Sequence, residues 1–172
     1  WIENIIKNFK NKNNYFIIFR PHPREFLKTN DNYYLRKLKK IFSSLPSNMC
    51  VNYPKDKISI HNLGMETSLL LNAWSSAGED LGMLGIPTIS ISKSFMNYPS
   101  DIDYYEDNKK KYFKKIFKIL KKDNWSINRI ELFYRFKSLM FNKSTIKLKK
   151  FMPKHYYFMR FIKLIDKISL FF

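Results

Sequence analysis

Two short polar stretches of the chain carry residue types that could bind a phosphorylated ligand. In the first, RPHPRE (20–25), an apolar run ends at Arg20, His22 lies between two prolines, and Arg24 follows. Proline fixes its own φ and pushes the preceding residue into extended geometry, so the imidazole is held beyond the run at a low entropic cost. The flanking guanidinium groups suit phosphate. We interpret this stretch as an anion-binding corner; the alternative is a proline-rich strand exit with a solvated histidine.

The second stretch, WSSAGEDLGMLGIPTI (74–89), reads as the start of a helix. Ser76 and Glu79 fit the capping box S-x-x-E, which is a complete structural explanation for both residues. The same helix start could also bind an anion, because it presents free N–H groups, Ser75 adds a hydroxyl, and Gly78 permits close approach of a ligand. Glu79 could alternatively accept hydrogen bonds from ribose hydroxyls.

Strands that alternate with helices are predicted around both stretches. Apolar runs and helical spacing predict strands at 15–19, 49–53, 68–74 and 87–92, helices at 1–11, 31–45 and 76–85, and a short helix or turn at 57–67. This alternation predicts an α/β fold with a Rossmann-like parallel sheet of about four strands and flanking helices. Loops after parallel strands meet at one edge, where ligands bind, so both polar stretches are expected there.

The C-terminal part of the chain has a different character. We predict a donor-binding domain at 1–100 and a basic helical extension at 101–172 that packs on it. Helices are expected in the lysine-rich end of 101–122, at 127–142, and at 154–172. Each basic helix has an apolar stripe that could pack on the domain, with its lysines in water. The alternative is that these helices lie on an anionic membrane surface.

Composition restricts the function classes further. The formal net charge is +18 over 172 residues, which suggests a polyanionic partner, although an AT-rich coding sequence would also produce many lysines.

Cys50 is the single cysteine, so a disulfide within the chain and a cysteine-based zinc site are excluded, and a reducing, cytoplasmic setting is indicated. The chain begins at Trp1 within a helical pattern, so we expect a preceding domain.

The two polar stretches together resemble known enzymes. RPHPRE, followed some fifty residues later by WSSAGEDLGMLGIPTI, is similar to the C-terminal nucleotide-binding half of GT-B glycosyltransferases. The similarity extends over about residues 15–92. It is greatest to bacterial capsule polysaccharide enzymes, including Kdo transferases, and to sialyltransferases with His-Pro and Ser-Ser motifs. CDP-glycerol glycerophosphotransferases have similar patterns.

The resemblance implies roles for individual residues. His22 would contact the donor nucleotide, Ser75 and Ser76 would bind its phosphate, and Glu79 would lie near the ribose. The corner position adds Arg20, Arg24 and Gly78 to the same donor-binding group. The acceptor and the general base usually belong to the N-terminal domain of such enzymes, so no catalytic residue is assigned in this chain, and the chain alone is expected to be inactive.

The resemblance also concerns metals and cofactors. The segment DID (101–103) matches the D-x-D metal motif of the other glycosyltransferase fold. We interpret it instead as the acidic first turn of a helix, where carboxylates stabilise the helix dipole. No metal site and no cofactor are therefore predicted, and the nucleotide-sugar donor, CMP- or CDP-linked, is a substrate.

The sequence thus predicts the donor-binding half of a glycosyltransferase for surface polysaccharide (capsule or LPS) synthesis. Its expected partners are a nucleotide-activated sugar, a glycan or lipid-linked acceptor, and an anionic membrane surface; nucleic acid is disfavoured. The expected location is the cytoplasm, peripheral to the inner face of the membrane. Two alternatives remain open. One is a nucleotide-sugar epimerase of similar fold, and the other is a non-catalytic basic module that binds membranes or polyanions.

Overall fold

A computed structural model describes residues 1–22, 33–73, 75–91, 102–121 and 126–142. These residues form an α/β structure, as the sequence predicts. Its helices are α1 (Ile2–Phe9), α2 (Tyr33–Phe42), α3 (Ile60–Met65), α4 (Ala77–Met83), α5 (Lys109–Leu120) and α6 (Ile127–Asn142), with a 3-10 turn at Pro54–Asp56.

Five short parallel strands are present in the described residues. They are β1 (Ile17–Phe19), β2 (Met49–Val51), β3 (Leu70–Asn72), β4 (Thr88–Ser90) and β5 (Tyr104–Tyr105). The first two pair with each other, with Ile17 opposite Met49, and the other three form a second sheet in the order β3–β4–β5. The four predicted strands are therefore confirmed in position, although each is shorter than its apolar run.

The arrangement of the strands differs from the single predicted sheet. Backbone hydrogen bonds divide the described strands into a two-stranded and a three-stranded ladder, and the second ladder includes β5, which the sequence did not predict. The α/β class and the parallel pairing are confirmed. The finer Rossmann-like arrangement remains a proposal.

One hydrophobic core joins both sheets to the helices. Phe19 from β1 and Ile89 from β4 belong to the same buried cluster as Phe9 from α1 and Ile116 from α5. The rings of Phe9 and Phe117 have centroids 5.1 Å apart, so α1 and α5 pack directly on each other. The apolar stripe of α5 is therefore buried in the core, which was one of the two readings of that stripe.

A glycine ends α4 in the way that the sequence predicts. Gly85 has a φ of 87°, a left-handed conformation that glycine adopts without steric cost. Its N–H donates to Gly82, and the N–H of Ile86 donates to Leu81 over 3.0 Å. These two bonds form a Schellman motif, which turns the chain from α4 into β4.

A second glycine allows close packing of α4 on the first half of α6. A Cβ atom placed on Gly82 would lie under 3.0 Å from atoms of the Phe133 ring, which is 1% exposed. Only glycine therefore leaves room for this ring without a shift of one helix.

The chain divides into two compact units, residues 1–133 and 134–172, with the division inside α6. The functional boundary that we predict at residue 100 stays a prediction.

None of the helices formed by described residues is long and apolar enough to cross a bilayer. The predicted last helix, 154–172, and Arg24 lie outside the described residues.

Candidate functional site

The corner after β1 and β2 holds an arginine in a defined position. Arg20 follows β1 directly, and Asn52 follows β2 directly; because the strands are parallel, both residues lie at the same edge of the sheet. Nη1 of Arg20 donates to Oδ1 of Asn52 and, over 2.8 Å, to the carbonyl oxygen of Ile58. Arg20 as a residue is exposed. The tertiary structure thus places a cation at the edge where ligands of parallel sheets bind.

The loop after β2 brings the Ile58 carbonyl back to this edge. The carboxylate of Asp56 accepts a bond of 2.6 Å from the N–H of Tyr53, which closes the 3-10 turn. Lys57 then adopts a left-handed φ of 54° as the C-cap of this turn, and Ile58 follows it directly. As a result, a main-chain carbonyl, and not a carboxylate, is the second acceptor of Arg20.

Asn52 is the buried partner in this corner. Its side chain is 5% exposed, and its Nδ2 makes no hydrogen bond among the described residues. A buried donor without an acceptor costs about 1–3 kcal/mol. The amide of Asn52 is therefore only half used in the described residues: its oxygen accepts from Arg20, and its nitrogen has no acceptor.

The histidine of this corner is described, but the second arginine is not. Pro21 is buried and His22 is exposed, two residues beyond Arg20. This placement agrees with a histidine held just past a strand end. The predicted role of Arg24 falls on a residue outside the described part of the chain.

The corner between β3 and α4 is organised by short-range hydrogen bonds. Nδ2 of Asn72, the last residue of β3, donates to the Ser75 carbonyl over 3.0 Å. The Ser75 hydroxyl accepts from the N–H of Ala77 at 3.2 Å. Asn72 is buried and Ser75 is half-buried, so these bonds hold the turn against the end of the sheet.

The predicted capping box at Ser76 and Glu79 is wrong. Ser76 has helical angles, φ −63° and ψ −11°, and its side chain makes no capping bond. An N-cap residue needs an extended conformation to fold its hydroxyl over the first turn. The Ser75 hydroxyl binds the Ala77 N–H instead, and the Ser76 carbonyl accepts from the N–H of Glu79.

The remaining predicted residues of the second corner lie where the sequence places them. Gly78 is buried in the first turn of α4, Glu79 is half-buried in the same turn, and Ser76 is exposed. The bonds made by Arg20, Ser75 and Ser76 each stay within their own corner. These three residues thus organise the ends of their own strands.

Asp103 of the DID segment has a structural role and does not lie in the helical turn that the sequence predicts. Asp103 is 3% exposed, and its two oxygens accept from the hydroxyls of Thr88 and Ser90 at 2.6 and 2.9 Å. Its carboxylate also accepts a hydrogen bond of 2.6 Å from the N–H of Tyr104, the first residue of β5. Across the described residues, no group of three His, Cys, Asp or Glu side chains could hold a metal ion.

Two ionisable groups have shifted pKa values. Burial raises the pKa of the Cys50 thiol above its ordinary 9.0, and the Asp56 carboxylate acts in the same direction. Burial also raises the pKa of the Tyr112 hydroxyl, with a further contribution from Asp103, whereas the hydrogen bond from Trp1 opposes the shift. Neither group belongs to the two corners, so neither is assigned a role there.

Sequence reasoning missed the two asparagines that organise the corners. Asn52 and Asn72 both stand at the end of an apolar strand run, MCVN and LLN. The same signal, a polar residue directly after a buried strand, had already indicated Arg20. Applied to every strand, it would have selected both asparagines as residues at the sheet edge.

Comparisons of the chain with protein-family models, with characterised proteins and with solved structures found no match.

Proposed function

We propose that this chain is the donor-binding half of a nucleotide-sugar-dependent glycosyltransferase for surface polysaccharide synthesis. The observation that carries the proposal is the position of Arg20 and the pair of hydrogen bonds that its guanidinium group donates. Arg20 is an exposed residue at the carboxyl edge of a parallel sheet, its guanidinium group donates to two neutral oxygens, and His22 lies two residues further on. A cation held in this way suits the phosphate of a CMP- or CDP-linked donor.

The residues of the two corners would divide the work of binding. Arg20 would neutralise phosphate charge, His22 would contact the nucleotide, and the hydroxyls of Ser75 and Ser76 would donate to phosphate oxygens. Glu79 would accept bonds from the ribose. Because the general base belongs to another domain in the enzymes that the sequence resembles, the isolated chain should bind the donor without turnover.

The proposal includes the partners and the location of the protein. A polysaccharide or lipid-linked acceptor would meet the donor at the cytoplasmic face of a membrane. The exposed lysines of α5 favour such a position, since they give the domain a basic face. The same lysines also favour the rival proposal, a non-catalytic module that binds anionic surfaces.

Thermal unfolding with added nucleotide tests the proposal. CMP or CDP should raise the unfolding temperature, because a ligand at about one hundred times its Kd stabilises the folded state by about 2.7 kcal/mol. His22→Ala should reduce this gain, and His61→Ala, at an exposed histidine of α3, is the matched control. If no nucleotide stabilises the chain while anionic vesicles do, the glycosyltransferase proposal is rejected in favour of the basic module.

A further inference from the structure

We infer that Asn52 is a positioning residue, which holds Arg20 as an un-neutralised cation so that its free edge binds a phosphate oxyanion. The inference rests on the proposed function, in which this corner receives the phosphate of the donor. Neither stretch of sequence that indicated the site contains Asn52. Its role follows from the contact that the fold makes with Arg20, 32 positions earlier in the chain.

The geometry of the guanidinium leaves one edge available. Both hydrogen bonds of Arg20, to Asn52 and to the Ile58 carbonyl, use Nη1. Because the group is planar, two acceptors on one nitrogen orient the whole fork. Within the described residues, Nε and Nη2 carry no hydrogen bond, and these two nitrogens can donate side by side to two oxygens of one phosphate.

The neutrality of the two acceptors matters as much as their position. An aspartate in place of Asn52 would have nearly the same shape and would accept the same bond from Arg20. It would also cancel the positive charge and repel an anion. Asn52 supplies the acceptor oxygen without a negative charge, although its Nδ2 stays buried and without an acceptor in the described structure.

A purely structural role does not account for this arrangement. The backbone N–H of Asn52 donates to the Phe19 carbonyl over 2.9 Å and continues the β1–β2 ladder, which other residue types would do equally well. Within the part of the chain that the structure describes, the side chain makes one hydrogen bond, the one that its Oδ1 accepts from Arg20. Its effect is therefore on the orientation and charge of that guanidinium.

Calorimetric titration with inorganic pyrophosphate tests the inference, with chain stability measured in parallel by urea unfolding. Asn52→Asp should weaken pyrophosphate binding at least about tenfold. The charge-assisted hydrogen bond between Arg20 and pyrophosphate is lost, and the new carboxylate repels the anion. The same variant should unfold at an equal or higher urea concentration, since it forms an ion pair and loses the buried unpaired donor. Asn52→Ala should weaken binding less than Asn52→Asp, because the charge of Arg20 is kept.

A matched control separates charge at this site from net charge. Asn13→Asp makes the same change in an exposed turn after α1 and should bind pyrophosphate like the wild type. If affinity follows stability across the variants, or if Asn52→Asp binds as well as Asn13→Asp, Asn52 does not position Arg20 and the inference is overturned.

The outcomes also separate this inference from the proposed function. If pyrophosphate binds and Asn52→Asp abolishes binding while CMP and CDP add nothing, the positioning role stands and the nucleotide site fails. If CMP binds and Asn52→Asp leaves its affinity unchanged, the nucleotide site stands and the positioning role fails.

Discussion

The hydroxyl of Thr88 donates a hydrogen bond of 2.6 Å to the carboxylate of Asp103, which lies 15 positions later in the chain. Thr88 is 0% exposed, so this bond lies in the interior, at the first residue of β4. Together with the bond from Ser90, it fixes the segment that enters β5. Asp103, the second aspartate of a sequence that matches a metal-binding motif, thus attaches the edge strand of the second sheet.

The first prediction concerns this buried carboxylate. Asp103→Leu should lower the free energy of unfolding by about 2–4 kcal/mol, because two buried hydroxyls lose their acceptor. Adding Thr88→Val and Ser90→Ala should recover part of the loss, since no buried hydroxyl then remains unpaired. Urea unfolding measures both effects, and Asp107→Asn, at an exposed position, is the control. Equal stability of Asp103→Leu and the control would show that the contacts contribute nothing.

The second prediction concerns alkaline stability. Burial holds the pKa of the Tyr112 hydroxyl above its unfolded value of 10.0, so above that pH the unfolded chain has lost more protons than the folded chain. Stability should therefore be full below pH 10 and fall above it, by up to about 1.4 kcal/mol per pH unit. Tyr112→Phe should make the fall shallower.

Urea unfolding at a series of alkaline pH values measures this slope. Tyr33→Phe removes an exposed hydroxyl and is the matched control. Tyr112→Phe also loses the hydrogen bond from Trp1, so its stability at neutral pH should be lower by about 1 kcal/mol. A slope identical to that of the wild type would contradict a role for Tyr112 in alkaline unfolding.

The third prediction concerns the basic face of α5. The exposed lysines of this helix repeat at helical spacing and include Lys110, Lys114 and Lys118, and the exposed Lys121 follows as the C-cap. Lysines near an anionic membrane contribute about 1 kcal/mol each, so Lys114→Gln with Lys118→Gln should weaken vesicle binding at least about tenfold. The variant should keep its stability, because both side chains project from the core into water.

Sedimentation with phosphatidylserine vesicles at low and high salt measures this binding, which salt should weaken. Lys39→Gln with Lys40→Gln on α2 removes the same net charge from another exposed surface. If both pairs weaken binding equally, attraction depends on total charge and α5 is not a specific membrane face. Absence of sedimentation in the wild type would remove the membrane proposal altogether.

Periodicity alone was enough to place most elements of the fold. Apolar residues at helical spacing located α1, α2 and α5, because each buries one face against the core. Short β-prone runs located the first four strands, and Gly85 marked the turn after α4. These signals are local, so they can be recognised without knowledge of what the element packs against.

Pairing and capping were decided by tertiary contacts. Tyr104 and Tyr105 form too short a stretch to be recognised as a strand from the sequence. They form β5 because they pair with the edge of β4 and because Asp103 accepts a hydrogen bond from the N–H of Tyr104. The division into two ladders likewise depends on how the strands approach one another. At α4, the spacing of Ser76 and Glu79 fitted a capping box, but the turn after Asn72 gave the capping position to the Ser75 hydroxyl.

The candidate site shows the same distinction. The sequence by itself identified Arg20 and His22, since a polar residue directly after a buried strand can be recognised from its neighbours. It did not identify Asn52, which meets Arg20 only after 32 residues of chain have folded β2 beside β1. The residue types that can bind a ligand can thus be recognised from the local sequence. The orientation of Arg20, and whether its charge is neutralised, depend on acceptors that come within hydrogen-bond reach only when two parallel strands pair.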